Sequence, residues 1–138
     1  MNILFVESDD LMRSLFQAVL ARDGFHVMAV RDNQEGLAAS GTTPFDLVVA
    51  QFFTEADASG ITKLLAALRA RAPRCKLLAV ISGFRIKSSE ALSIKRLLNP
   101  WRTVDLTWGG HVLLDACQDA AKERYPHALP VAANGQTL

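Results

Sequence analysis

The feature that most constrains this chain is a repeated pattern: five short apolar runs, at residues 3–6, 25–30, 45–50, 77–81 and 104–107, each followed by a stretch with helical spacing. Such runs, apolar at successive positions, suit strands covered on both faces, and strands joined by helical crossovers form a parallel sheet. The expected class is α/β, a doubly wound five-stranded parallel sheet between two helical layers. At 138 residues and 50% hydrophobic, the chain is long enough to bury one core. One domain is expected over residues 1–124, with 125–138, rich in Pro, Ala and Gly and lacking periodicity, as a tail or the start of a linker.

The helical stretches carry their own stop and start signals. Asp9 suits an N-cap, Leu11, Met12, Leu15, Phe16, Val19 and Leu20 form an apolar stripe on helix one, and Gly24 ends it. Helix two is expected over about 33–40, helix three from near Gly60 through Leu68, helix four over 88–98 before Asn99-Pro100, and helix five after Gly109-Gly110.

Several classes are argued against by what the chain lacks. Cys75 and Cys117 sit in apolar segments without metal-ligand spacing and read as buried, reduced thiols. The N-terminus has neither the positive region nor the long apolar stretch of a secretory signal, and no apolar run approaches the roughly 20 residues that span a bilayer. A soluble cytoplasmic protein with no membrane contact is expected. Net charge is only +1, yet Lys63, Arg69, Arg71, Arg74, Lys76, Arg85, Lys87, Lys95, Arg96 and Arg102 are opposed before Asp105 only by Glu90, which predicts a basic flank. That flank would favour an acidic protein surface or a phosphate-bearing ligand, but no recognition-helix motif or stacking aromatic set points to nucleic acid.

In a doubly wound sheet the functional edge lies at the carboxyl ends of the strands. The residues there are Glu7-Ser8-Asp9-Asp10, Arg31-Asp32, Gln51-Phe52-Phe53, Ser82-Gly83 and Trp108-Gly109. In order and spacing, Ile3-Leu4-Phe5-Val6-Glu7-Ser8-Asp9-Asp10-Leu11-Met12-Arg13, then Phe45-Asp46-Leu47-Val48-Val49-Ala50-Gln51, then the run ending at Ser82, resemble the receiver domain of bacterial two-component response regulators, over residues 2 to about 122. The resemblance implies a flavodoxin-like, CheY-like fold. It also implies a phosphorylation pocket: an acidic pair after strand one and an aspartate after strand three hold magnesium, and that aspartate takes a phosphoryl group. A Ser or Thr after strand four and a Lys after strand five complete the family's pocket.

Carried over by position, the acidic pair falls on Glu7 and Ser8, the phosphoacceptor on Gln51, the hydroxyl on Ser82 and the lysine on Trp108. The family's aromatic switch residue falls on Asp105. Only Glu7 and Ser82 keep the chemistry. An amide cannot act as the carboxylate nucleophile, and Ser8 with Gln51 is a poor donor set for magnesium, so no cofactor is expected and magnesium affinity should be weak or absent. Trp108 would plug the pocket rather than neutralise a phosphate.

Replacement acids read more economically as structural: Asp9 as the N-cap, Asp10 as a first-turn acid, Glu55 and Asp57 as loop carboxylates. Ser82, His111 and Glu7 could compose an acyl-transfer set, but Ser82 is not on a nucleophile elbow and His111 reads as a surface histidine. Gly109-Gly110 before helix five reads as a turn rather than an anion site. The expectation is therefore a degenerate receiver, not an enzyme, that signals by phosphorylation-independent protein contact. The face made by helix four, strand five and helix five is the family's usual interface for partners or a second copy, which makes Lys87, Lys95, Arg96 and Trp101 the candidate contact residues and a homodimer through that face a candidate assembly. A remodelled pocket binding a small ligand or anionic partner, with Trp108 stacking on it, is the alternative; a hydrolase built on Ser82, His111 and Glu7 is the third.

Overall fold

Residues 1–83 and 85–124 are described by the structure, a computed structural model. The expected tail, 125–138, lies outside them. Five strands, β1 (Asn2–Val6), β2 (His26–Val30), β3 (Leu47–Gln51), β4 (Lys76–Ile81) and β5 (Arg102–Asp105), alternate with helices α1 (Asp10–Arg22), α2 (Asn33–Ser40), α3 (Asp57–Arg71), α4 (Ser88–Leu98) and α5 (His111–Arg124). All pairings are parallel, in the order β2-β1-β3-β4-β5. The doubly wound α/β sheet expected from the sequence is the observed one.

Alternation along each strand divides the core into two layers. Leu4 and Val6, Val48 and Ala50, and Leu77, Ala79 and Ile81 face one side, where they meet Leu64, Leu65 and Leu68 of α3 and Ile94 of α4. Ile3 and Phe5, Leu47 and Val49, and Leu78, Val80 and Val104 face the other, against Phe16 and Leu20 of α1 and Leu113, Ala116, Cys117 and Ala120 of α5. Truncating a fully buried member such as Leu64 to Ala would cost about 2–5 kcal/mol, transfer plus cavity.

Side-chain caps fix the helix starts. The Asp9 carboxylate accepts from the Met12 amide at 2.8 Å, and that of Asp32 from the Glu35 amide at 2.8 Å. At the other end of α4, Asn99 turns the chain with φ of 44°, the left-handed conformation Asn tolerates well.

Three expectations are corrected. Strand five ends at Asp105, not Thr107, because the Asp105 carboxylate accepts from the Thr107 amide at 2.9 Å and turns Leu106–Trp108 into a single 3₁₀ turn. Helix three begins at Asp57 rather than near Gly60. There the Asp57 carboxylate collects the amides of Phe53 and Thr54 at 2.8 and 3.0 Å and anchors the first turn. The apolar stripe of α1 is split: Phe16 and Leu20 are buried, while Leu11, Leu15 and Val19 are 77%, 51% and 36% exposed.

Candidate functional site

The sheet order reverses between β2-β1 and β1-β3, so the crevice of a doubly wound fold opens at the carboxyl ends of β1 and β3. In the parallel register Val6 lies beside Ala50, which sets the next residues, Glu7 and Gln51, side by side at the strand ends. The Glu7 amide is fixed by the Val30 carbonyl at 2.9 Å, and its side chain is buried at 5% exposure.

A buried carboxylate requires donors, and Gln51 supplies them. With its amide nitrogen toward Glu7, the orientation that satisfies both groups, Gln51 donates to Oε2 at 2.6 Å and to Oε1 at 3.0 Å. Burial pushes the Glu7 carboxyl above its ordinary value and the charge of Asp9 adds to this; the Asp9 amide and the charges of Arg13 and Arg85 pull it back. Arg13 also donates to the Glu7 carbonyl at 3.0 Å while pairing with Asp10 at 2.5 Å.

This arrangement does not fit a magnesium ion. A divalent cation needs oxygen lone pairs converging on it, whereas here an N–H donor points at the one buried carboxylate. Ser8 and Asp9 are exposed, and the Asp9 carboxylate serves as the α1 cap. Asp57 provides no substitute, because its carboxylate caps its own loop. Among the described residues no cluster of three or more His, Cys, Asp or Glu could hold a metal.

Nor does the end of β5 bring a cation. Trp108 does not plug the pocket; it is 75% exposed on the 3₁₀ turn, because the strand stops three residues before it. The residue after strand five is Leu106, which with Glu7, Gln51, Met12 and Phe16 lines a cavity of only about 10 Å³, no larger than one water needs. Asp105 itself is turned to the β4–α4 loop: Gly83 donates to Asp105 Oδ1 at 3.1 Å and to Thr107 Oγ1 at 3.0 Å. Hydrogen bonds from the Thr107 hydroxyl and amide, then from Gly83, hold the Asp105 carboxyl below its ordinary value. Register makes the tie possible, since Asp105 pairs with Ile81.

Of the sequence candidates, Glu7 and Gln51 are thus brought together. Ser82 is half-buried at the end of β4, with its carbonyl accepting from the amides of Arg85 and Ile86. Among the described residues no hydrogen bond joins Ser82, His111 and Glu7, so the acyl-transfer set is not assembled. The groove lined by Glu7, Ser8, Gln51, Phe53 and Asp57 has a volume of about 160 Å³, below the few hundred typical of a small-molecule site, and excludes Trp108.

The expected basic flank is partly neutralised in space. Arg102 pairs with Asp119 at 2.6 Å and Lys76 approaches Glu123 at 4.0 Å, both acids on α5, while Arg69 and Arg71 donate to the carbonyls of Cys75 and Gly41. Lys87, Lys95 and Arg96 remain exposed. Trp101 is half-buried against the α1/α5 layer, with the Arg102 guanidinium stacked 4.3 Å from its ring. Residues the sequence reading passed over are Arg13, Arg85, Leu106 and the Gly83–Asp105–Thr107 tie. Parallel pairing of β4 with β5 is the signal that would have placed the last of these.

No family model matches the chain, and no curated protein matches it. Solved structures do. The signal receiver domain of an HD domain-containing protein from Pseudomonas fluorescens aligns with 16% identity over 91% of this chain and 98% of its own, at a TM-score of 0.69. A response regulator from Thermotoga maritima aligns with 16% identity over 86% and 95%, at 0.68. The receiver domain of a sensor histidine kinase from Pseudomonas aeruginosa, whose active-site cleft coordinates magnesium, gives 16%, 86% and 94%, at 0.66. Topology, register and these likenesses agree: the chain has the receiver fold of response regulators.

Proposed function

We propose that this chain is a receiver-fold signalling module that has exchanged phosphoryl chemistry for a permanent internal hydrogen bond and acts by binding protein partners. The observation that carries the reading is the Gln51 amide donating to both oxygens of Glu7. In the resembling family that space belongs to a metal ion and a nucleophilic carboxylate. Here a neutral amide, with no charge with which to attack phosphorus, satisfies the buried acid directly. A pocket held in one state by its own side chains gives a constitutive binding surface.

Contact with protein partners is supported by one similar structure, 16% identical, in which a response regulator is solved in complex with a histidine kinase. The exposed Lys87, Lys95 and Arg96 at the two ends of α4 suit an acidic partner. Trp101 contributes as a support under Arg102 rather than as an anchor of its own.

The test is exposure of the protein to acetyl phosphate with magnesium, read by intact mass. No phosphoryl adduct is expected, and Gln51→Ala should not alter that. A hydroxylamine-labile adduct would mean that another carboxylate accepts phosphate and would end the proposal. For the partner face, Lys95→Glu with Arg96→Glu should abolish capture of the physiological partner; unchanged capture would remove those residues from it.

A further inference from the structure

On the edge of the sheet opposite Glu7 and Gln51, a groove of about 560 Å³ opens beside the end of α5. The buried Phe45, Cys75 and Ala120 line it from below, and the more exposed Met1, Ala72 and Pro73 line it from the sides. Its volume suits a drug-sized molecule, which the 160 Å³ groove at the other edge does not. The backbone around it is fixed. The Asp46 amide donates to the Asn2 carbonyl at 2.9 Å, and the Asp46 carbonyl accepts from the Lys76 amide at 3.0 Å. Arg69 donates to the Cys75 carbonyl at 3.1 Å and the Cys75 amide to the Ala72 carbonyl at 2.9 Å, which locks the turn from α3 into β4.

The charges at this groove are matched to one another rather than aimed at a ligand. Arg124 pairs with Asp46, Lys76 approaches Glu123 at 4.0 Å, and Arg74, the remaining charged lining residue, is exposed. A small-molecule site needs a few polar groups converging on its occupant. Here the apolar surface is what remains to be covered.

We propose that the occupant is the chain's own segment 125–131, Tyr125-Pro126-His127-Ala128-Leu129-Pro130-Val131, with Tyr125 and Leu129 inserted. Position is the first argument. Arg124, the last residue of α5, itself lines the groove, and its pairing with Asp46 pins the helix end there, so Tyr125 starts at the entrance. The second argument is stiffness. Tyr125 and Leu129 each precede a proline, which disfavours helix at both positions and turns the chain off the α5 axis. Both prolines also fix φ, so seating the segment orders fewer free torsions. Chemistry is the third. The seven residues contain no Asp, Glu, Lys or Arg, so covering the groove strands no charge. The following Asn134, Gly135, Gln136 and Thr137 have no such apolar character and lie beyond the strap. Tethering completes the case: a directly attached segment acts at an effective concentration of about millimolar, which a foreign peptide must exceed.

The experiment uses the full chain labelled with fluorotyrosine, since Tyr125 is its single tyrosine, with circular dichroism to confirm folding. The fluorine resonance should be displaced from that of the free amino acid. Its relaxation by a soluble gadolinium chelate should be at least about threefold slower than in Leu129→Asp, as for a segment seated two thirds of the time or more. Ala72→Arg, which fills the groove from its side, should release the ring as Leu129→Asp does, and Gln136→Asp should leave it seated. A ring equally open to the chelate in wild type and Leu129→Asp overturns the proposal. So does protection that persists in folded Ala72→Arg, which would place the ring elsewhere. Protection that grows with protein concentration overturns it equally, because the groove would then hold the segment of a second copy. The proposal does not depend on the pocket: a chain that took up phosphate yet kept Tyr125 protected would refute the functional reading and support this one.

Discussion

Turned with its amide nitrogen toward Glu7, the orientation that satisfies both groups, Gln51 donates to one carboxylate oxygen at 2.6 Å and to the other at 3.0 Å, across the ends of two adjacent parallel strands. Removing the donor strands a buried acceptor. Gln51→Leu should therefore lower stability by about 1.5–3 kcal/mol, measured by urea unfolding at neutral pH. Gln51→Glu, which faces one carboxylate with another, should be worse than Gln51→Leu at neutral pH and recover as the pair gains a proton in acid.

Glu7 makes stability pH-dependent in a direction opposite to most acids. Its folded-state value is raised by burial and by Asp9, so the native state binds the proton more tightly than the unfolded chain does. The stability this gives is complete below the ordinary value of 4.5 and is lost as pH rises through the folded one. Glu7→Gln removes the effect, and every other acid is common to both proteins. The melting temperature of the wild type minus that of Glu7→Gln should fall as pH rises from acid to neutral; a difference that rises would contradict the burial argument.

Asp105 acts in the opposite sense and in a different place. Its lowered value means a contribution present above 3.8 and lost as pH falls through the folded one. Because it accepts from Gly83, Asp105→Ala should free the β4–α4 loop. Amide exchange at Gly83 and Thr107 should accelerate by about tenfold while the amide of Leu78 in mid-sheet stays protected.

The two thiols should be silent in the folded protein. Burial pushes Cys75 up to about 11 and Cys117 to about 12, so almost no thiolate exists at pH 8. Alkylation by iodoacetamide should be negligible in buffer and complete in denaturant. Rapid native-state modification of either would mean that the segment around it opens locally.

What could be read from the chain was what depends on neighbours in sequence. Short apolar runs gave the strands, Asp9 marked a helix start, and Gln51 stood out as a residue where the resemblance expects an acid. What depends on distant residues was misread. Helical period identifies an apolar stripe on α1 but not how much of it the sheet covers, so Leu11, Leu15 and Val19 were grouped with Phe16 and Leu20. The segment Val104-Asp105-Leu106-Thr107 has strand-like composition, yet a single side-chain bond from Asp105 to the Thr107 amide ends the strand early and carries Trp108 into solvent. The basic flank looked unopposed because Asp119 and Glu123, which meet Arg102 and Lys76, lie on the last helix. The pairing of Glu7 with Gln51 was legible in principle from the β1–β3 register, which two hydrophobic runs alone do not fix.

The central claim is that Gln51 occupies the Glu7 carboxylate in place of a metal and a phosphoryl group. Its most direct test is an amide chemical-shift titration of the labelled protein with millimolar magnesium and then beryllofluoride. The account predicts no saturable shift at Glu7, Ser8, Gln51, Ser82 or Gly83. A saturable shift centred on those amides would mean that the pocket still takes a cation and a phosphoryl mimic, and would contradict it.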